Sequence, residues 1–139
     1  MAVAEDFTIE EKEEQERMVL ESVDRFLERD VEPFAHDLEA DDTYPQEIVD
    51  KMVDMGLFGA TIGMEYGGLG LSVSTYAKIV ERVSTVWMSV SGIFNSHLIM
   101  AAAVERSGTE EQKAKWLPKF ASGELRGGIA LTEPDAGTD

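Results

Sequence analysis

No cysteine occurs in the 139 residues, which excludes a disulfide framework, a thiolate nucleophile and any zinc site ligated by sulfur. Histidine is nearly as scarce. His36 and His97 lie 61 positions apart and give no metal-ligand spacing, so no metal is expected. Basic residues are few, 12 Lys and Arg against 28 Asp and Glu, for a net charge of −16. A surface of that sign repels phosphate backbones, because affinity for nucleic acid rests on Lys and Arg displacing counterions, and no nucleic-acid partner is expected. No apolar run approaches the ~20 residues that a membrane span requires. The amino terminus lacks the basic patch and apolar stretch of a signal peptide and is too acidic for a transit peptide. The expectation is a globular protein of the cytoplasm without a membrane span.

What charge there is lies mostly in the first part of the chain. Residues 1–54 hold 19 acids and 5 bases, whereas residues 55–139 hold 9 acids and 7 bases. The plain reading is a solvated helix face, and adaptation to a salt-rich environment is the sharper one. A chain of this length suffices for one core, burying about 68 to 70% of its extended surface.

Periodicity predicts a helical domain. Thr8 with Glu11 has the form of a capping box, and Val19, Val23, Phe26, Leu27, Val31, Phe34 and Leu38 follow at helical spacing. Pro33 is expected to end or kink this helix, leaving Phe34 to Leu38 as a bent last turn. Pro45 opens a second helix, with Ile48, Met52, Val53 and Met55 inward and Gly56 closing it. Ser72 or Ser74 caps a third helix, with Tyr76, Ile79, Val80 and Val83 inside. A fourth runs from about Ser89 to Ser107, apolar nearly all round and hence central. Asn95, Ser96 and His97 interrupt it, and each needs a polar neighbour or a ligand, a satisfied core histidine being the simpler reading. Thr109 with Gln112 caps a fifth helix, which Pro118 is expected to divide.

Two segments fit no helix. Gly59, Gly63, Gly67, Gly68 and Gly70 break every period between Leu57 and Leu71. They follow a helix rather than a strand and lack Gly-x-Gly-x-x-Gly spacing, so this is read as a structural turn and not a nucleotide loop. Leu125 to Thr132, bounded by Gly127-Gly128 and Glu133-Pro134, reads as one strand. A lone strand leaves its backbone groups unpaired, so it is expected to begin a sheet that these residues do not finish. The fold class is therefore mainly α: an all-α amino-terminal domain over residues 1–124 and the start of a β-domain over residues 125–139.

Residue types alone make the end of that strand, Thr132-Glu133-Pro134-Asp135-Ala136-Gly137-Thr138-Asp139, an ordinary turn in which amides can point at an anion. Its order says more. Ala130 to Asp139, read as Ala-Leu-Thr-Glu-Pro-Asp-Ala-Gly-Thr-Asp, resembles the flavin-side signature of the acyl-CoA dehydrogenases. Glu65-Tyr66-Gly67-Gly68-Leu69-Gly70 resembles that family's interhelical loop. Gly108 to Lys113, Trp116-Leu117-Pro118 and Ser122-Gly123-Glu124 resemble its approach to the sheet, so three motifs fall in the family's order.

The resemblance implies FAD as cofactor, with Ile129, Leu131 and Thr132 along the flavin ring and Gly137 and Thr138 at its phosphates. It also places Thr138 at the CoA portion of the substrate, and Gly92 and Asn95 near the closed end of an acyl pocket, with Met88 and Phe94 nearby. Ile129 stands where an aromatic is frequent, Asp135 where a small neutral residue is frequent, and Thr138 where serine is usual. The implied activity of the full-length parent is α,β-desaturation of an acyl-CoA thioester, with electrons passing to an electron-transfer flavoprotein and subunits assembled as a homotetramer. No catalytic residue is assigned here, since the family's glutamate base belongs to a carboxy-terminal domain, and the chain alone is expected to be inactive. The reading of a different class is a free-standing acidic helical module that binds a partner protein.

Overall fold

The computed structural model describes residues 8–137. Five helices account for most of them: α1 (Ile9–Phe26), α2 (Glu32–Ala40), α3 (Gln46–Asp54), α4 (Val73–Ser107) and α5 (Glu110–Ala121). Both expected capping boxes are formed, Thr8 with Glu11 at α1 and Thr109 with Gln112 at α5. Each satisfies two of the donors that a helix start leaves open.

Pro33 neither ends nor breaks the first helix. One wide π-turn, Leu27–Val31, joins α1 to α2, and the Glu32 N–H donates to Leu27 O. A proline has no N–H for the carbonyl four residues back and its ring collides with that carbonyl; a π-turn just ahead of it accommodates both. The extra residue in the turn shifts the helical face. Ala35 takes the buried place and Phe34, expected inside, is 53% exposed. Asp30 turns inward in the same π-turn, where it is held by Arg29 at 2.9 Å and by Lys51 of α3 at 2.7 Å. Those two hydrogen-bonded cations, Arg29 foremost, keep its carboxyl below the ordinary range.

The third and fourth expected helices are one element. Ser72 caps α4 through the Thr75 N–H, and Gly108 ends it. Trp87 keeps non-helical angles (φ −155°, ψ 102°) inside, so the two halves meet at a kink. Joined, they are long and apolar enough by composition to cross a membrane. Here one stripe of α4, including Ile79, Val83, Val90, Phe94, Leu98 and Ala101, is buried with α1, α2 and α5 around it. α4 is thus the central helix, though not an all-round buried one: Met88 and Ile99 are exposed. Pro118 does not divide α5, which runs unbroken to Ala121.

The glycine-rich segment is a folded turn, as expected, with short 3-10 pieces at Leu57–Gly59 and Met64–Tyr66. Leu69 N donates to Gly59 O, Gly70 N to Ile62 O and Leu71 N to Ala60 O, at 2.8 to 3.0 Å. This draws Gly68 so close that an added Cβ would lie 2.1 Å from Ile62 O and 2.7 Å from Gly59 O. Gly59 in turn abuts Ala121 at the end of α5. Beyond α5, Gly123 turns the chain with φ 73°, and residues 125–132 run without any paired strand among the described residues. The sequence pattern for a strand is present, but no second strand lies beside it, and an extended segment becomes a strand only when its ladder is paired.

The turn yields a direct test. Gly68→Ala is expected to lower stability by about 1 to 3 kcal/mol, because the colliding atoms are backbone and cannot step aside. Gly67→Ala, where nothing lies within 4 Å but φ is 82°, should cost about 1 to 2 kcal/mol through left-handed strain alone. Urea midpoints of the two variants check both; a Gly68→Ala variant as stable as the parent would contradict the packing described.

Candidate functional site

The segment that follows α5 is laid across α4 by two glycines and a histidine. Gly127 passes so near α4 that a Cβ there would meet Met100 Cε at 3.0 Å, and a Cβ at Gly128 would reach Ser96 Cβ at 4.0 Å. The atoms met are side-chain atoms of α4, the flexible end of Met100 and the Ser96 Cβ at ordinary contact distance. His97, fully buried, lies beneath this crossing. Its Nε2 is 3.1 Å from Phe120 O, and Gly127 N donates to its Nδ1 at 3.4 Å. Its ring meets Phe58 and Phe120 edge-on at centroid distances of 5.3 and 5.7 Å. It is a satisfied core histidine, as its burial demands.

Beyond the crossing the chain is open to solvent. Ile129, 43% exposed, borders a shallow cavity of about 370 Å³ with Met100, Val104, Gln112 and Trp116. Leu131 is 81% exposed and Thr132 is exposed. Among the described residues, no backbone group of residues 128–132 finds a hydrogen-bond partner. The chain then folds back through Pro134: Glu133 N donates to Ala136 O at 2.7 Å and Ala136 N to Glu133 O at 3.3 Å. That turn returns Gly137 to Thr132, whose methyl lies 3.4 Å from where a Gly137 Cβ would stand. Two of the expected cofactor residues are therefore neighbours. Thr138 lies outside the described residues.

The expected acyl-pocket residues sit on α4 beside this crossing. Asn95 precedes Ser96, against which Gly128 is laid. Gly92 lies one turn earlier on the exposed side, with nothing within 4 Å of the place a Cβ would occupy. Asn95 is half-buried, and its Oδ1 accepts from the Tyr76 hydroxyl. Burial pushes the Tyr76 phenol up to about 12, so it remains a donor across the ordinary pH range. Tyr76 packs edge-on to Phe94, whose side chain is fully buried, whereas Met88 is 73% exposed. Asn95 thus spends its side-chain carbonyl on Tyr76, and its amide N–H groups have no partner among the described residues.

Sequence reasoning did not find the Tyr76–Asn95 bond. Its partners lie 19 residues apart on either side of the Trp87 kink, and no local pattern links them. Nor was there a signal that His97 reaches both the end of α5 and Gly127. No group of three or more His, Asp or Glu side chains suited to a metal ion occurs among the described residues.

Comparison with known proteins places this geometry. The model of the acyl-CoA dehydrogenase N-terminal domain matches residues 13–124. The chain is 38% identical over 128 residues to the (2S)-methylsuccinyl-CoA dehydrogenase of Cereibacter sphaeroides, covering 91% of this chain and 23% of that protein. It is 38% identical over 135 residues to the short-chain specific acyl-CoA dehydrogenase of Clostridium acetobutylicum, covering 96% and 35%. Among solved structures, butyryl-CoA dehydrogenase from Megasphaera elsdenii superposes with a TM-score of 0.82 at 28% identity, over 96% of this chain and 35% of that one. A glutaryl-CoA dehydrogenase from Mycobacterium smegmatis, solved in complex with FADH2, superposes at 0.78 with 25% identity, over 90% and 32%. The chain thus spans about a quarter to a third of the length of these relatives. With four-fifths of its residues matched by the N-terminal domain model, the chain belongs to the acyl-CoA dehydrogenase family.

Proposed function

We propose that this chain supplies the helical amino-terminal domain and one side of the flavin site of an FAD-dependent acyl-CoA dehydrogenase. The observation that carries the reading is the run of residues 128–132, which passes α4 with its backbone donors and acceptors unpartnered among the described residues. The fit to a flavin is good on this chain's own terms. Free amides next to Ile129 and Leu131 suit a ring that is polar along one edge and apolar across its face. Bound there, FAD would supply a two-electron acceptor for the β-hydrogen of an acyl-CoA thioester.

The chain's own residues do the holding. The amides of 129–132 and the Thr132 hydroxyl are fixed donors for the flavin edge on which negative charge gathers during reduction. Gly137, returned to Thr132 by the Glu133–Ala136 turn, leaves room for a phosphate, and Thr138 follows with a hydroxyl for phosphate or CoA. Gly92 opens α4 toward the acyl chain, and Asn95, oriented by Tyr76, presents its amide there. We assign no catalytic base to these residues, since Glu133 and Asp135 are exposed members of the turn. In the full-length parent, a cytoplasmic homotetramer in this reading, an electron-transfer flavoprotein takes the electrons.

Three measurements bear on this. The purified 139-residue chain is expected to show no stoichiometric flavin absorbance and no ferrocenium-coupled turnover of acyl-CoAs; yellow, active material would overturn the view that it holds half a site. In the longer protein, Thr132→Val should remove one hydrogen bond, roughly 1 kcal/mol, and weaken FAD binding about five-fold by fluorescence titration. Gly92→Ala should stabilise the chain by about 0.5 to 1 kcal/mol, since Ala suits an open helix position better. In the longer protein the same change should raise KM for acyl-CoA; an unchanged KM would remove Gly92 from the pocket.

A further inference from the structure

We infer that His97 is a positioning residue: its neutral imidazole clasps the Gly127 amide and so sets where the flavin-facing segment leaves the helical domain. The inference rests on the flavin reading only for the use made of the segment, not for the clasp itself. The geometry is a three-element junction. His97 belongs to α4, Phe120 O to the last turn of α5, and Gly127 N to the outgoing chain, with distances of 3.1 and 3.4 Å on the two ring nitrogens. A carbonyl accepts only, so the proton of the neutral ring belongs on Nε2, and Nδ1 is left as the lone pair that the Gly127 N–H requires. Histidine supplies a donor and an acceptor on opposite corners of one flat ring, which fits the slot between Phe58 and Phe120. Gly127 is the last residue before Thr132 whose amide finds a partner among the described residues. The outgoing segment is therefore tied to the helical domain at Gly127, and residues 129–132 continue from that point.

The clasp is conditional on proton state. An imidazolium would place a second N–H at Nδ1 against the Gly127 N–H. Every charged group facing the ring leaves that form disfavoured or untouched. α4 carries no charged side chain between Arg82 and Glu105. On the α5 side, Lys119 is paired with Glu124 at 3.0 Å. From the outgoing segment, Arg126 stands over the Phe58 ring at 5.7 Å. The Leu57–Gly59 turn carries no charge and contributes the phenyl ring of Phe58 and the Phe58 carbonyl, which favours the protonated ring. Burial holds the imidazole below its usual 6.5, against the Phe120 and Phe58 carbonyls, which favour the protonated ring; the Arg126 charge adds a smaller push in the direction of burial. The sign follows: the clasp is complete above pH 6.5 and is lost as pH falls through the depressed value.

The test is NMR and amide hydrogen exchange on the 139-residue chain. At about pH 7.5 the His97 ring signals should show the Nε2–H tautomer, and Gly127 should be protected. As the pH is lowered through the titration of the His97 ring, followed on its own signals, the Gly127 protection factor should fall roughly tenfold while helix amides keep theirs, as expected for one local bond lost. His97→Asn keeps an acceptor at the δ position and should retain Gly127 protection without the pH dependence. His97→Gln keeps the ε donor to Phe120 O and should lose protection at every pH. An Nδ1–H tautomer, or equal Gly127 protection in the parent and His97→Gln with helix amides unchanged, would overturn the clasp. Should either variant fail to fold, the parent's tautomer and pH titration decide the matter alone. No flavin is present in these samples. Titration of FAD against the longer protein decides the flavin reading separately.

Discussion

Burial of one stripe of α4 is the constraint on which the other helices depend. α1, α2 and α5 each have an apolar side and a strongly charged one, and each stabilises the fold only by covering part of Ile79 to Ala101. Their charges are then spent at the edges of that contact. Lys78 reaches Glu16 and Arg82 reaches Asp24, tying α4 to α1, while Lys51 reaches the buried Asp30 and ties α3 to the π-turn. Exposed pairs of this kind contribute little stability each. Asp30 is different in consequence, because removing either cation would leave a carboxylate inside a turn that already departs from α-geometry.

How much of this was legible depended on whether a residue's demand is met locally. The two capping boxes were, since Thr8 and Glu11, or Thr109 and Gln112, complete one another within a single turn. Pro33 was not. A proline asks only that the helix stop or widen, and the choice of a π-turn goes with Asp30 and Lys51, 21 residues apart. Phe34 moved to the surface as a result, a rotation no periodicity could foretell. The fusion of two expected helices into α4 rests on Trp87, whose extended angles form the kink but leave the chain direction helical on both sides. The strand at 125–132 was legible as a pattern and not as a structure, because pairing belongs to two segments at once.

The candidate site divides the same way. The turn at Glu133 and Pro134 was readable from residue types, and it brings Gly137 back to Thr132. That His97 must be satisfied was also readable, from burial alone. Which backbone groups satisfy it was not, since Phe120 and Gly127 lie 23 and 30 residues away. Three polar groups of this fold share one logic, whereas the buried Thr75 and Ser91 are satisfied within α4 and its cap. Asp30, His97 and Asn95 each join segments distant in sequence, and each marks a place where the chain departs from simple helix packing: a π-turn, an outgoing segment, a kinked helix. The Trp87 indole N–H is buried and finds no partner among the described residues.

Why the cofactor-side residues are exposed follows from the size of that one tether. Ordering a residue's backbone costs about 1 to 2 kcal/mol, and a hydrogen bond returns about 1 kcal/mol net. A single bond at Gly127 therefore offsets the ordering of about one residue, not of the five that follow it. Residues 128–132 have no further hydrogen bond among the described residues, and their side chains bury little: Leu131 is 81% exposed. In the proposed reading, the missing stabilisation comes from groups that use those amides, a second strand on one edge and the flavin on the other. Strand pairing and ligand binding then each lower the ordering cost the other must meet, which is positive coupling without any change in the helical domain. The helical domain's part is to fix the starting point, and it does so where two glycines let the chain touch α4 and a buried imidazole accepts the amide that would otherwise be lost.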